Sequence, residues 1–106
     1  MIIKFDKKYL SELYYTGKST EKKYRFQPNV VMSYKRRIDI LNDAPSIEAL
    51  YSINSLRYEV LIGAKKGLSS IRVNDQYRIE FEVSETDDDE AIITICTIIE
   101  LSNHYK

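Results

Sequence analysis

Two arginines, Arg72 and Arg78, are the side chains of this 106-residue chain best suited to bind a negatively charged group. A guanidinium group presents a planar fork of N–H donors that matches the oxygens of a phosphate. Both arginines belong to residues 69–83, SSIRVNDQYRIEFEV, where apolar and polar residues alternate. Such alternation predicts two strands that share one apolar face.

The alternation also predicts how the two strands pair. A two-residue turn at residues 74–75 would mix apolar and polar side chains on each face of the hairpin. A three-residue loop at residues 74–76 keeps the apolar residues on one face and pairs Arg72 with Arg78. Because directly opposed residues share a face, this register sets the two guanidinium groups side by side.

Like charges in such a pair destabilise the hairpin by up to about 1 kcal/mol, so a negative group is expected nearby. One interpretation is a phosphate site, to which Lys65 and Lys66 of the preceding loop GAKKG would contribute. The other is neutralisation without function by Glu59, Glu80 or Glu82 on the same face. The residue types leave both interpretations open.

The single histidine and the single cysteine limit the chemistry further. His104 is the natural proton-transfer group because its unperturbed pKa lies nearest neutrality, although a histidine so close to a chain end is more often a solvated tail residue. Cys96 lies in the apolar run AIITICTII, which predicts a plain buried thiol. One cysteine excludes an intrachain disulfide and a cysteine-rich metal site, so no metal site is predicted.

Composition predicts one soluble globular domain over residues 1–106, with 43% hydrophobic and 30% charged residues. No apolar run approaches the ~20 residues of a membrane span, and the N-terminus lacks an export signal, so we expect a cytoplasmic protein.

The net charge of zero conceals an asymmetry. Residues 1–72 carry 14 Lys/Arg and 7 Asp/Glu, whereas residues 73–106 carry 2 and 9. This split indicates either an anionic partner for one face of the protein or charged side chains that only solvate the surface.

Helical spacing predicts two helices in the first half of the chain. A short strand at Ile2–Phe5 precedes a helix over residues 7–15, capped by Asp6. The second helix begins near Pro28, which suits a first helical position. Its apolar stripe consists of Val31, Tyr34, Ile38 and Leu41. The segment SIEAL is expected to add one further helical turn.

Strands are predicted from residue 56 onward. The first is LRYEVLI, residues 56–62, and the hairpin follows. Residues 84–90 are expected to form a solvated acidic turn, and residues 91–99 a central strand covered on both faces. This order predicts an α+β fold, in which two N-terminal helices pack on one face of a mainly antiparallel, four- to five-stranded sheet.

The string GAKKGLSSIRVNDQYRIEFEV, followed by a strand and the ending SNHYK, resembles the RelE/HigB family of bacterial toxins, and its HigB-like branch most closely. Members show a Gly-x-(Lys/Arg)-x-Gly loop, then SIRVNDQ(W/Y)RI, then a terminal segment ending in histidine. The match runs from Leu56 to the end, and the helices of the first half agree in order and length. The resemblance implies a RelE-like fold and the toxin of a type II toxin–antitoxin pair.

Members of this family are similar to small RNases that cut mRNA in the ribosomal A site without a metal. The resemblance therefore implies no cofactor, no membrane, and three partners: a HigA-like helix-turn-helix antitoxin, the ribosome and mRNA. The implied reaction is attack of a ribose 2′-hydroxyl on the adjacent phosphate. It needs a base, an acid, and cations that hold the charge on the phosphate.

The resemblance also implies roles for individual residues. The residues implied at the chemistry are His104, Arg78, Arg72, Glu59 and Tyr105. The residues implied at the RNA are Lys65, Lys66 and Tyr77. In this scheme the arginines stabilise the transition state, His104 transfers a proton, and Tyr105 stacks on a base or donates a hydrogen bond.

This chain departs from the family pattern in ways that bear on its activity. Glu59 stands where many members have a second histidine, so it is a base or only the partner of an arginine, and acid and base stay unassigned between Glu59 and His104. Tyr77 replaces a common Trp, and the family's terminal aspartate is replaced by Ser102 or Asn103. Two alternatives therefore remain: a non-cleaving module that only pairs with its antitoxin, and a ParE-like gyrase inhibitor.

Overall fold

The structure, a computed structural model, describes residues 1–87 and 91–103. Its elements are β1 (Ile2–Phe5), α1 (Lys8–Tyr15), α2 (Pro28–Asp43), α3 (Glu48–Tyr51), β2 (Glu59–Val60), β3 (Ser69–Arg72), β4 (Tyr77–Asp87) and β5 (Ile92–Asn103). The sheet order is β1-β5-β4-β3-β2, with β1 parallel to β5 and the other pairs antiparallel. The predicted α+β class and mainly antiparallel sheet are confirmed. Within the described ranges no helix is long and apolar enough to cross a membrane.

One face of the sheet is buried against the helices. The predicted stripe of α2 is confirmed, because Val31, Tyr34, Ile38 and Leu41 are all buried. They join one apolar cluster with Tyr9, Leu10 and Leu13 of α1 and with Ile71, Ile79, Phe81, Cys96 and Ile98 of the sheet. The Tyr34 hydroxyl donates to the Leu10 carbonyl at 2.7 Å, which satisfies a polar group inside this core.

The start of α1 differs from the prediction. Asp6 does not cap the helix: the residue before its first turn is Lys7, and no side chain caps the N-terminus. The reason is the sheet, because the backbone N–H of Asp6 donates to the Ile98 carbonyl at 2.9 Å and extends the β1–β5 ladder. The start of α2 at Pro28 is as predicted, and α3 is the expected extra turn.

The predicted strand over residues 56–62 is wrong in extent. A 3-10 turn at Asn54–Leu56 buries Leu56 in the core, and Arg57 then takes a left-handed conformation with φ of 46°. A left-handed residue breaks an extended chain. Only Glu59–Val60 therefore pairs with β3.

The predicted acidic turn over residues 84–90 is also wrong in extent. β4 continues to Asp87, and residues 84–87 pair with residues 92–95 of β5. The apolar partner strand supplies backbone hydrogen bonds along this whole stretch, so strand pairing overrides the turn-like composition. Residues 88–90 of the predicted turn lie outside the described residues.

β5 lies inside the sheet, between β1 and β4, as its apolar sequence predicts. On the helix face Cys96 and Ile98 are fully buried, and burial raises the pKa of the Cys96 thiol to about 11. The predicted plain buried thiol is thus confirmed. On the other face Ile95 is only half-buried and pairs with Ile2, which is 46% exposed. The packing expected on the second face of β5 is therefore incomplete at Ile95.

The hairpin has the predicted register, in which Arg72 lies opposite Arg78. Its three-residue loop is closed by Asn74, whose Oδ1 accepts hydrogen bonds from the backbone N–H groups of Gln76 and Tyr77 at 2.8 and 2.7 Å. Such a side-chain turn is typical of asparagine. The register directs both arginines to the sheet face opposite the helices.

Candidate functional site

A cleft of about 460 Å³ lies on the sheet face opposite α1 and α2. It is bounded by β2, the loop that follows β2, the middle of β4 and the end of β5. The residues that line it are Glu59, Leu61, Ile62, Lys65, Ser70, Arg78, Glu80, Ser102 and Asn103. The lining combines the apolar side chains of Leu61 and Ile62 with several polar and charged groups that converge on one sheet face, an arrangement that makes it the candidate binding site.

Strand register brings these residues together from distant parts of the sequence. Glu59 of β2 lies opposite Ser70 of β3, and Ser70 lies opposite Glu80 of β4. Glu80 in turn lies opposite Glu100 of β5. Since opposed residues share a face, three carboxylates and one hydroxyl form a row across four strands. The next row carries Arg78.

Arg78 forms the cationic part of the cleft floor. Its side chain is only 16% exposed, and one terminal nitrogen lies 2.6 Å from Oε1 of Glu59. Its Nε and the Ser70 hydroxyl are buried, and within the described part of the chain neither has a hydrogen-bond partner. Burying an unpaired polar group costs free energy. The floor therefore has unused hydrogen-bonding capacity suited to an oxygen-rich anion.

Lys65 and Glu80 form the second ion pair of the cleft, at 2.6 Å. Lys65 is brought over the sheet by a 3-10 turn that begins at Gly63, and Gly67 ends the loop. Both glycines have positive φ, 70° and 98°, which residues with a side chain rarely adopt. The glycine-bracketed loop of the sequence thus positions one of its two lysines. Lys66 is exposed and does not line the cleft.

Arg72 lies opposite Arg78 in the backbone but contributes to a different contact. Its guanidinium group pairs with Asp75 in the hairpin loop, and it does not line the cleft. Its backbone carbonyl accepts a hydrogen bond from Nε of Arg37 at 2.9 Å. Burial, together with the charge of Arg72, lowers the pKa of Arg37. The two opposed arginines therefore bind separate carboxylates.

The remaining predicted site residues lie outside the cleft or outside the described residues. Tyr77 lies on the helix face, where its ring contacts Phe26 edge-to-face at 5.3 Å between centroids. His104 and Tyr105 are not among the described residues. The chain is described up to Asn103, which lines the cleft, and the sequence continues from there into His104. The structure thus brings together Glu59, Lys65 and Arg78.

Two residues at the floor were not predicted as site residues. Ser70 has the same strand parity as Arg72, and this signal could have placed its hydroxyl on the arginine face. Glu80 was predicted only as a neutralising group, and the structure does pair it with a cation, Lys65. Because Glu80 pairs with Lys65 and Glu59 pairs with Arg78, the net charge of the cleft lining is close to zero.

Comparison with known proteins identifies the family and the fold. A profile of the HigB-like toxins, described as "RelE-like toxin of type II toxin-antitoxin system HigB", matches residues 3–94. Toxin HigB-1 of Vibrio cholerae serotype O1 is 34% identical over 83 residues, which are 77% of this chain and 83% of that protein. The solved structure of a YoeB/ParE toxin from Agrobacterium tumefaciens superposes with a TM-score of 0.61 at 16% identity, covering 99% of this chain and 100% of that one.

The fold is therefore the RelE-like toxin fold that the sequence predicted. Within that class the chain belongs to the HigB-like toxins, because the family profile spans most of its length. It is the toxin component of a type II toxin–antitoxin system, and its class implies a cognate antitoxin as partner.

Proposed function

We propose that this toxin is a ribosome-dependent endoribonuclease that cuts mRNA in the cytoplasm without a metal ion, with residues 1–106 acting as one domain. The observation that carries the proposal is Arg78 on the cleft floor, with a buried Nε that lacks a partner among the described residues. An arginine held in this way is preorganised to bind a phosphate that gains charge during reaction. Membership of the HigB-like toxins supports the same reaction class.

The proposed reaction begins with attack of the ribose 2′-oxygen on the adjacent phosphorus. The P–O5′ bond breaks, which leaves a 2′,3′-cyclic phosphate and a 5′-hydroxyl. One group takes the proton of the 2′-hydroxyl and another gives a proton to the departing 5′-oxygen. We assign these two transfers to Glu59 and His104 as a pair. Arg78 donates hydrogen bonds to the non-bridging phosphate oxygens, where the charge develops.

In this scheme the ion pair between Arg78 and Glu59 forms only while the cleft holds no RNA. An incoming phosphate competes with the Glu59 carboxylate for the guanidinium group, because both are oxygen anions that match its donors. Glu59 is 51% exposed in its side chain, so it can move away at little cost. Once released, the Glu59 carboxylate is free to accept a proton from substrate.

The other candidate residues are assigned supporting roles. Lys65 contacts the RNA backbone from the rim of the cleft, and Lys66 adds positive charge to the approach. Tyr105 stacks on a base or donates a hydrogen bond. Arg72 acts from outside the cleft by holding the hairpin loop through Asp75, and Tyr77 supports the same hairpin from the helix side.

A non-cleaving toxin that only pairs with its antitoxin is the second candidate. The pairing of Arg78 and Lys65 with carboxylates favours it, because a balanced cleft attracts RNA less strongly than a basic one. The antitoxin proposed in either case is a HigA-like helix-turn-helix protein encoded beside the toxin. A ParE-like inhibitor of gyrase would leave mRNA intact as well.

Induced expression followed by mapping of mRNA 5′ ends separates these candidates. The endonuclease proposal predicts growth arrest and new 5′ ends at a fixed position within codons of translated messages. An uninduced culture and a culture that expresses Arg78→Ala serve as controls. Growth arrest with intact mRNA would favour a ParE-like activity, and growth without arrest would favour the non-cleaving module.

A further inference from the structure

A second concavity, of about 390 Å³, lies between the end of α1, the connection to α2 and the first turns of α2. We call it the helix groove. Its lining residues are Leu13, Gly17, Lys18, Ser19, Arg25, Phe26, Pro28, Val31, Met32 and Lys35. It shares no lining residue with the cleft described above.

No carboxylate among the described residues forms an ion pair with the cations of the helix groove. Lys18, Arg25 and Lys35 have no ion-pair partner among residues 1–87 and 91–103, and no carboxylate lines the groove. The nearby Glu12 does not line the groove, and its Oε1 accepts hydrogen bonds from the backbone N–H and hydroxyl of Thr20 at 3.3 and 3.2 Å and from the hydroxyl of the groove residue Ser19 at 3.5 Å. In the cleft, by contrast, both cations that line it are paired.

The fold holds one of these cations in place. Gly17 ends α1 with φ of 79°, and Nζ of Lys35 lies over it, 3.4 Å from where a β-carbon would stand. The C-terminal end of a helix favours a cation through its dipole and free carbonyls. This explains the position of Lys35 but leaves its charge available to a partner. A side chain at residue 17 would be strained and would crowd the lysine.

The floor of the helix groove is apolar. Leu13 and Val31 are buried and Phe26 is half-buried, whereas Met32 is 53% exposed beside them. An exposed methionine on an apolar floor is typical of a surface that adapts to a partner's side chain. The groove therefore combines an apolar floor with three cations that have no ion-pair partner among the described residues.

We propose that the helix groove is the docking site of the cognate antitoxin, which inserts an apolar side chain flanked by aspartate or glutamate residues. The partner itself follows from the toxin class, and the groove and its chemistry follow from the residues above. An RNA backbone would satisfy the three cations but leave the apolar floor in water. An acidic and apolar peptide segment satisfies both, because its carboxylates pair with Lys18, Arg25 and Lys35 while its apolar side chain covers Met32.

The test is the affinity of the purified toxin for the purified antitoxin encoded in the neighbouring reading frame, measured by titration calorimetry. Lys35→Glu, alone and with Arg25→Glu, should weaken binding about ten- to a hundredfold, because a charge pair at an interface becomes a repulsion. Lys4→Glu is the matched control, since Lys4 is exposed on the opposite face of the sheet and should leave the affinity unchanged. Thermal melts check that each variant is folded.

Three outcomes would overturn the proposal. Unchanged affinity in both groove variants would show that the antitoxin docks elsewhere. Loss of ribosome association with unchanged antitoxin affinity would make the groove an RNA contact. A dimer of the toxin alone that dissociates in the variants would make a second copy the occupant. Because binding is measured without cleavage, these results do not depend on the proposed nuclease activity.

Discussion

The Lys65 ammonium lies 2.6 Å from the Glu80 carboxylate, although the lysine side chain is 48% exposed and the glutamate only 8%. Glu80 lies in the middle of β4, opposite Glu100, so its burial needs a nearby cation. Lys65 belongs to a loop whose residues 62–67 are all exposed. The ion pair therefore ties an exposed loop to the sheet, and Glu80 determines where the Lys65 charge is held.

Glu80→Gln should release Lys65 while keeping the shape of the residue. We expect the loop to become more mobile, so trypsin should cleave after Lys65 or Lys66 several-fold faster than in the unaltered toxin. In the cleavage assay KM should rise more than kcat falls. The reason is that the substitution disturbs the proposed contact between Lys65 and the RNA backbone and removes no catalytic group. Limited proteolysis and steady-state kinetics measure these two effects.

Glu82→Gln is the matched control for Glu80→Gln, since Glu82 lies two residues further along β4 on the same face and is exposed. The substitution removes the same charge, and Glu82 forms no ion pair with any of the described residues. If Glu80→Gln leaves loop proteolysis as slow as Glu82→Gln does, Glu80 does not position Lys65.

Arg78→Ala and Arg72→Ala test whether the two opposed arginines have different roles. Arg78 lines the cleft and Arg72 does not, so Arg78→Ala should lower kcat by about 10²–10³ and Arg72→Ala by much less. Arg78→Lys should be intermediate, because it keeps the charge but not the planar fork. Single-turnover cleavage of mRNA on ribosomes measures the three variants together.

Arg78→Ala should cost little stability. Its partner Glu59 is half exposed, so solvent screens the lost ion pair and the expected change is at most about 1 kcal/mol. A urea titration measures it. A much larger loss of stability would mean that Arg78 acts as a structural residue, and its effect on cleavage would then say nothing about phosphate binding.

Glu59→Gln and His104→Ala test the assignment of the two proton transfers. Each should lower kcat, and each should remove one limb of the pH–rate profile, with loss of the acidic limb identifying the base. Should Glu59→Gln instead lower KM and leave kcat unchanged, Glu59 would only neutralise Arg78 in the free cleft.

Tyr9 should contribute to a fall in stability at alkaline pH, together with Tyr14 and Tyr34, whose pKa values are also raised. Burial raises the pKa of Tyr9 to about 12 in the folded protein, above the ordinary value of 10.0. As the pH rises, the unfolded chain therefore loses this proton before the folded protein does. The contribution of neutral Tyr9 to the free energy of unfolding is complete below pH 10 and is lost as the pH rises through about 12. Tyr9→Phe should reduce the alkaline fall of the unfolding free energy, measured by urea titration across this range.

Tyr15→Phe, at a tyrosine that is 73% exposed, is the matched control for Tyr9→Phe. At neutral pH Tyr9→Phe should cost about 1 kcal/mol, because the backbone N–H of Leu101 loses the Tyr9 hydroxyl as its acceptor at 3.2 Å. Equal alkaline falls in the two variants would contradict a role for Tyr9.

The hairpin register was predictable because strand pairing has only two parities, and only one parity keeps the apolar face of residues 71–83 continuous. Neutralising carboxylates at Glu59 and Glu80 were also predicted from parity, but which cation each one binds was not, because this depends on loop conformations. Arg57 at positive φ shortens β2 and sets the position of Glu59, and the turn at Gly63–Lys65 brings Lys65 over Glu80. The helix groove escaped prediction for a related reason: its rim comes from three separate elements.

Incubation of the purified toxin with mRNA on ribosomes, with Arg78→Ala in parallel, shows whether the protein is a ribosome-dependent endonuclease that acts through Arg78. We expect new 5′ ends within the codon in the ribosomal A site, carrying a 5′-hydroxyl, and their absence both with Arg78→Ala and with free mRNA. Intact mRNA after incubation with a folded toxin that still binds its antitoxin would contradict it.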